Sequence, residues 1–227
     1  MPNHITSRLK ITGDATKVAE VFYFIKADEP DEKGNYRLFD LEKIVPMPKA
    51  LDIDSSSLGE DGMKYLYSMA GNVLERSAYE KSSHYAHMKD MEMNTPKMFD
   101  KAMEEGKIRL HNIANYGASD WYQWRLLNWG TKWNAFDTQV LSDDEIVFYT
   151  AWLAPMPVLR ALSEMYPDSE IGLRYCDEDP FGAMGYASFA NGQESDEPII
   201  PESSEGKALY EELVGFYPSD EDDDAEE

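Results

Sequence analysis

His84 and His87 stand three residues apart, with Asp90 three further on. On one helical face, two imidazoles and a carboxylate have the composition of a metal site. The neighbours Lys81-Ser82-Ser83 and Lys89 have the character of a solvated surface, and no thiolate set or His-Glu-x-x-His string accompanies them. The expectation is therefore a polar, solvent-facing stripe. Asp177-Glu178-Asp179 offers carboxylate oxygens suited to a hard cation, but without the spacing of a calcium loop. Cys176 has no base close to it in sequence and reads as a small buried residue. As the lone cysteine it excludes an intramolecular disulfide and a multi-cysteine metal site. Gly182-Ala183-Met184-Gly185 lacks the Gly-Lys-Ser/Thr of a phosphate loop, and no Gly-x-Ser-x-Gly elbow occurs. No catalytic residue, cofactor or bound metal is expected.

A second concentration of chemistry is aromatic. Trp121, Tyr122, Trp124, Trp129 and Trp133 fall within thirteen residues, and Asn128 and Lys132 bracket the intervening Gly130. Such a group is either a platform for a base, a sugar or a partner side chain, or the core that joins two parts of the fold. Core is the expected role, with Asn128 capping a helix and Lys132 on a strand surface. Trp121, Trp124, Asn128, Trp129, Lys132 and Trp133 remain the candidates for an aromatic pocket.

Charge narrows the function classes. The 227 residues carry 44 acids and 21 bases, a net charge of -23. Direct binding to nucleic acid or to an anionic membrane needs Lys and Arg, so neither is expected. The asymmetry is steep: Met1 to Lys132 holds 20 acids and 18 bases, whereas Trp133 to Glu227 holds 24 acids and three bases. Within that second part, Trp133–Gly192 has 10 acids and two bases, so a negative face is expected even without the tail. Asp143, Asp144 and Glu145 in one turn, with Asp177, Glu178 and Asp179 in one loop, are the candidate partner-binding residues. A hydrophobic content of 42% is enough for a packed core. Met1 to Gly13 has no apolar run of the kind a signal peptide needs, and Thr150 to Leu159 is too short for a membrane span. The expected location is the cytoplasm.

The elements that would position these residues follow from periodicity. Asn3 to Thr12 alternates as a half-buried strand, and Asp14 caps a helix over Ala15 to Lys26. Tyr36 to Val45 is expected to include a short extended segment. Leu51 to Trp129 reads mainly as helix, including one that opens at Thr95-Pro96. Thr131 to Leu141 and Glu145 to Trp152 form a hairpin about Ser142-Asp143-Asp144, followed by a helix over Met156 to Met165. Strands at Ile171 to Cys176 and Ala183 to Phe189 come next. Gln193 to Gly206 reads as a polar linker, Lys207 to Phe216 as a short helix and Asp220 to Glu227 as disordered acidic tail. The order implies an α+β chain: a ferredoxin-like antiparallel sheet with two helices on one face, one additional strand, and a large helical insertion at about 51–129. The domain would span 1–192, with 193–227 as linker, helix and tail.

Several strings together resemble a known family. They are Met1-Pro2-Asn3-His4, Phe39-Asp40-Leu41-Glu42-Lys43-Ile44-Val45-Pro46-Met47-Pro48, Asn128-Trp129-Gly130-Thr131-Lys132-Trp133-Asn134, Thr150-Ala151-Trp152 with Pro155 and Pro157, and Tyr175-Cys176-Asp177-Glu178. The pattern is similar to the Api-type family carried by phages, prophages and plasmids, whose function is unassigned. The resemblance spans about Met1 to Phe189. It implies a ferredoxin-like fold and a mobile-element origin, and brings no catalytic residues. The function expected is a non-enzymatic accessory protein whose acidic surface binds a basic, nucleic-acid-handling protein in the manner of a DNA mimic. The alternatives are an enzyme or small-ligand binder with a pocket between the helical insertion and the sheet, and a structural accessory without an active site.

Overall fold

The computed structural model describes residues 3–30 and 34–217. They form two compact units, Met1–Pro46 with Arg125–Glu227, and Met47–Trp124. The acidic tail expected at Asp220 to Glu227 lies outside the described residues.

The first unit is built on β1 (His4–Thr12). Its alternation sends Ile5, Ser7, Leu9 and Ile11 to one face, all nearly or fully buried, and His4, Arg8 and Lys10 to the other. Asp14 then caps α1 (Ala15–Ile25) by accepting from the backbone of Thr16 and Lys17, and Val18, Val21 and Ile25 form its buried stripe. After the second unit's sequence come β2 (Phe136–Ser142), β3 (Glu145–Ala151), α8 (Met156–Met165), β4 (Glu170–Asp177) and β5 (Met184–Ala190). With β6 (Gln193–Pro198), the strand order β2-β3-β1-β4-β5-β6 is antiparallel throughout, with β1 between β3 and β4. The quartet β2-β3-β1-β4, with α1 and α8, is the split βαββαβ arrangement of a ferredoxin-like sandwich. The expected fold class is borne out.

Two readings of the sequence change. The expected linker begins as a sixth strand, β6 (Gln193–Pro198), paired along β5. Both of its faces are exposed, so no hydrophobic alternation marks it. Its signal was the Asn191-Gly192 pair, which forms the two-residue turn with φ of 46° and 75° that type I′ hairpins require. The segment Tyr36 to Val45, expected to be extended in part, forms instead the one-turn helix α2 (Leu41–Ile44), capped by Asp40. Beyond β6, α9 (Ser204–Val214) covers the face opposite α1 and α8, burying Leu209 and Tyr210 with Cys176 and Met184. The helices thus lie on both faces of the sheet.

The second unit contains α3 (Ser57–Ala70), α4 (Val73–Tyr79), α5 (Ser83–Asn94) and α6 (Pro96–Tyr116). Helix α7 (Trp121–Asn128) begins in it. Two features hold it together. Helices α3 and α6 meet backbone to backbone: a Cβ on Gly62 would lie 1.8 Å from the Ala102 carbonyl oxygen, and one on Gly106 would lie 2.4 Å from the Gly62 carbonyl carbon. Buried Arg109 donates to the Asp120 carboxylate and the Asp54 carbonyl, and buried Asn112 donates to the carbonyls of Ala50 and Ser119. Overpacking at a backbone contact has no flexible side chain to absorb it. Gly62→Ala should therefore cost about 1–3 kcal/mol, read as a lowered midpoint in denaturant monitored by helical circular dichroism.

Candidate functional site

The six acidic candidates do not form one face. β1 pairs Lys10 with Glu145 on one side and Ile5 with Asp177 on the other. The hairpin turn and the β4–β5 loop therefore lie at opposite ends of β1, five residues or about 17 Å apart along the strand. Their chemistry differs as well. Asp143 is exposed, and Asp144 accepts from Ser142 and lies 3.5 Å from Lys10 Nζ. Glu145 is bound by Arg174 Nη2 at 2.6 Å. Asp177 is buried and accepts from Asn3 Nδ2 and from the backbone N–H of Asp179. Glu178 is exposed, 3.6 Å from His4 Nδ1, and Asp179 accepts from the Phe181 backbone within its own loop. Most of these carboxylates are engaged in holding turns and strands. Sequence spacing revealed the two clusters; the register that separates them depends on long-range pairing.

Exposed carboxylate collects elsewhere, on β6 and α9. Residues 193–217 carry seven acids and one base, Lys207. Among the described residues, Glu197, Glu202, Glu205 and Glu211 are exposed and have no ion-pair or hydrogen-bond partner in their side chains. Glu212 differs: its carboxylate accepts from Arg8 Nη1 at 2.7 Å and Arg174 Nη1 at 2.5 Å.

The tryptophan candidates divide by unit. Trp121 and Trp124 belong to the helical unit, and Trp124 is buried. In the sheet unit, the string from Asn128 to Asn134 works mainly as a staple. Trp129 is fully buried and its Nε1 donates to the Val45 carbonyl at 2.8 Å. Gly130 has φ of 76°, and Pro157 Cδ would lie 2.9 Å from a Cβ there. Thr131 Oγ1 donates to the Ala151 carbonyl and accepts from its N–H. Asn134 accepts from the Leu41 N–H and donates to the Asp40 carboxylate. Asn128 is half-buried on α7.

Lys132 and Trp133 are what the staple leaves at the surface. Trp133 is exposed over about a third of its surface. It packs near His4 and Phe136, with centroids at 6.4 and 6.1 Å, and Phe136 stacks on Tyr149 at 5.9 Å. Lys132 Nζ lies 4.8 Å from the Trp152 ring centre. Trp152 is held at φ of 74°, an uncommon backbone state for a bulky residue that costs of order 1–3 kcal/mol. The row His4, Phe136, Tyr149 was not foreseen, because its members lie far apart in sequence and meet only through strand pairing.

Phe136 and Tyr149 also line a cavity of about 1150 Å³ between residues 27–30 and 34–40 on one side and the β2 edge on the other. It lies inside the sheet unit.

The histidines form no metal site. His84 Nδ1 meets the Tyr79 hydroxyl at 2.6 Å and its Nε2 meets Asp61 at 3.1 Å, while His87 Nε2 is 3.9 Å from the same carboxylate. Asp90 instead accepts from Asn94. Among the described residues no group of three or more His, Cys, Asp or Glu is placed to hold a metal ion. The Tyr79–His84–Asp61 chain links α4, α5 and α3, and burial pushes the Tyr79 hydroxyl up to about 12. Cys176 is fully buried, and that desolvation, with Asp177 beside it, lifts its thiol from 9.0 to about 12.

Residues 128–218 match the family model of the ferredoxin-like domain in Api92-like protein. A solved structure of the protein api92 from Yersinia pseudotuberculosis is similar, with 12% identity and a TM-score of 0.41 over 88% of this chain and 99% of that one. No curated protein matches. No helix among the described residues is long and apolar enough to cross a membrane.

Because the fold favours the neutral Cys176 thiol, its contribution to stability is complete below pH 9 and declines as pH rises toward 12. A thiol reagent should label Cys176 only after denaturant is added, and Cys176→Ala should show a shallower alkaline loss of stability. Prompt labelling of the native chain would contradict the buried placement.

Proposed function

We propose that the chain is a non-enzymatic binding protein, an accessory of a mobile genetic element, that engages a basic nucleic-acid-handling protein through carboxylates standing in for phosphates. The observation that carries this reading is the surplus of exposed, unpartnered carboxylates on β6 and α9 with Lys207 as the lone base. Edge strands often carry charge to discourage pairing with other chains. Charge on an edge strand alone would serve that end. Here the acids continue onto α9, which is not an edge, so the array exceeds what protecting β6 requires. The mobile-element setting is what the sequence's resemblance to the Api-type family implies.

An array of this kind acts mainly on encounter. Exposed charges are screened over about 8–10 Å at physiological ionic strength, so the partner's arrival should be strongly salt-dependent. The full chain, immobilised and exposed to host-cell lysate at low and high salt, should retain nucleic-acid-handling proteins at low salt and release them to duplex DNA. With a purified captured partner, the combined Glu197→Gln, Glu202→Gln, Glu205→Gln and Glu211→Gln variant should slow association about tenfold and leave dissociation nearly unchanged. Retention of no such protein, or association indifferent to salt and to these changes, contradicts the reading.

A further inference from the structure

The cavity beside β2 brings aromatic residues and unpartnered carboxylates together in an acidic chain. Its aromatic lining comes from Tyr36, Phe136 and Tyr149, and its carboxylates from Asp28, Glu29, Asp40 and Asp137. Two of these acids are engaged: Asp28 holds Lys43 at 2.7 Å, and Asp40 accepts from Asn134 and from the Glu42 N–H. Glu29 and Asp137 are exposed and have no partner among the described residues. Asp137 sits at φ of 47° where the β2–β3 register shifts, a bulge that interrupts the ladder beside the cavity. Arg37 is the one cation among the described lining residues, and its Nη1 lies 3.9 Å from Asp40.

We propose that this groove anchors an arginine side chain of the basic partner, with the guanidinium plane against the Phe136 and Tyr149 rings and its N–H fork on Glu29 and Asp137. The proposal rests on the basic-partner reading above and deepens it by naming the anchor. Charge complementarity selects the occupant. A nucleobase would stack on the same rings, but its phosphates would meet Glu29 and Asp137, carboxylates with no partner among the described residues. A guanidinium is planar, weakly hydrated, and able to stack and to bind carboxylate in two bonds at once, which an ammonium cannot do. One of the chain's own lysines already lies on a ring here: Lys26 Nζ is 4.5 Å from the centre of Tyr36. The volume exceeds one side chain, so a short segment around the arginine enters with it. The groove and β6 are on opposite edges of the sheet, five strand spacings or about 24 Å apart. Steering by β6 and α9 and anchoring at β2 are therefore separable.

The test titrates the full chain by calorimetry with a short arginine-rich peptide, its lysine counterpart and single-stranded oligothymidylate. The arginine peptide should bind, the lysine peptide about fivefold more weakly, and oligothymidylate not at all. Tyr149→Leu should weaken arginine-peptide binding about tenfold. Glu29→Gln with Asp137→Asn, both exposed positions that leave the core intact, should do the same and flatten the salt dependence. Unchanged affinity in both variants, or preferential binding of oligothymidylate, overturns the proposal. If only the β6–α9 glutamine variant weakens the peptide, the groove is not the anchor, while the basic-partner reading survives. If the groove variants weaken the peptide but lysate capture yields no nucleic-acid-handling protein, the groove stands and the partner class falls.

Discussion

Two arginines stand directly opposite each other in the sheet, Arg8 on β1 and Arg174 on β4. Like charges so placed repel, and the fold answers with two carboxylates. Glu145, from β3, lies 2.6 Å from Arg174 and 3.8 Å from Arg8. Glu212, from α9, reaches both guanidinium groups. This quartet ties three strands to the helix on the open face. It also fixes which acids are internal to the structure and which are left for solvent. With Glu212 turned down onto the arginines and Leu209 and Tyr210 buried against Cys176 and Met184, the remaining glutamates of α9 are held at the surface.

The same division runs through the Asn128–Asn134 string. Trp129, Gly130, Thr131 and Asn134 close hydrogen bonds and tight contacts with Val45, Ala151, Asp40, Leu41 and Pro157. Lys132 and Trp133 remain at the surface beside His4 and Phe136. A sequence motif can thus be specific because it is a staple, and the surface chemistry is carried by the residues it does not use. On that view the aromatic row and the cavity next to it are the parts of the sheet unit that the fold does not explain.

Much of the architecture was legible in the sequence. Alternation at Asn3 to Thr12, the Asp14 cap and the turn at Asp143-Asp144 each express a local rule, and local rules suffice for β1, α1 and the β2–β3 hairpin. Strand β6 was missed because Gln193–Pro198 is exposed on both faces and so has no period to read; only the Asn191-Gly192 turn announced it. Of the acidic candidates, Asp143, Glu178 and Asp179 lie in exposed turns, but the six do not share one surface. Register across β1 places them at opposite ends, and Asp177 is buried where sequence suggested solvent. The cavity was not legible, because its two walls, residues 27–30 with 34–40 and β2, are about a hundred positions apart.

The central claim is that Glu212, by holding two arginines, fixes α9 and the acids it carries. Amide hydrogen exchange resolved along the chain tests it directly, comparing the native protein with Glu212→Ala. The account predicts slow exchange over Ser204–Val214 in the native chain, and at least tenfold faster exchange there in the variant as the docking contacts loosen, with β1, β3 and β4 still protected. Equal protection of α9 in both proteins would show that the arginine quartet does not hold the helix, and that the acidic array owes its position to something else.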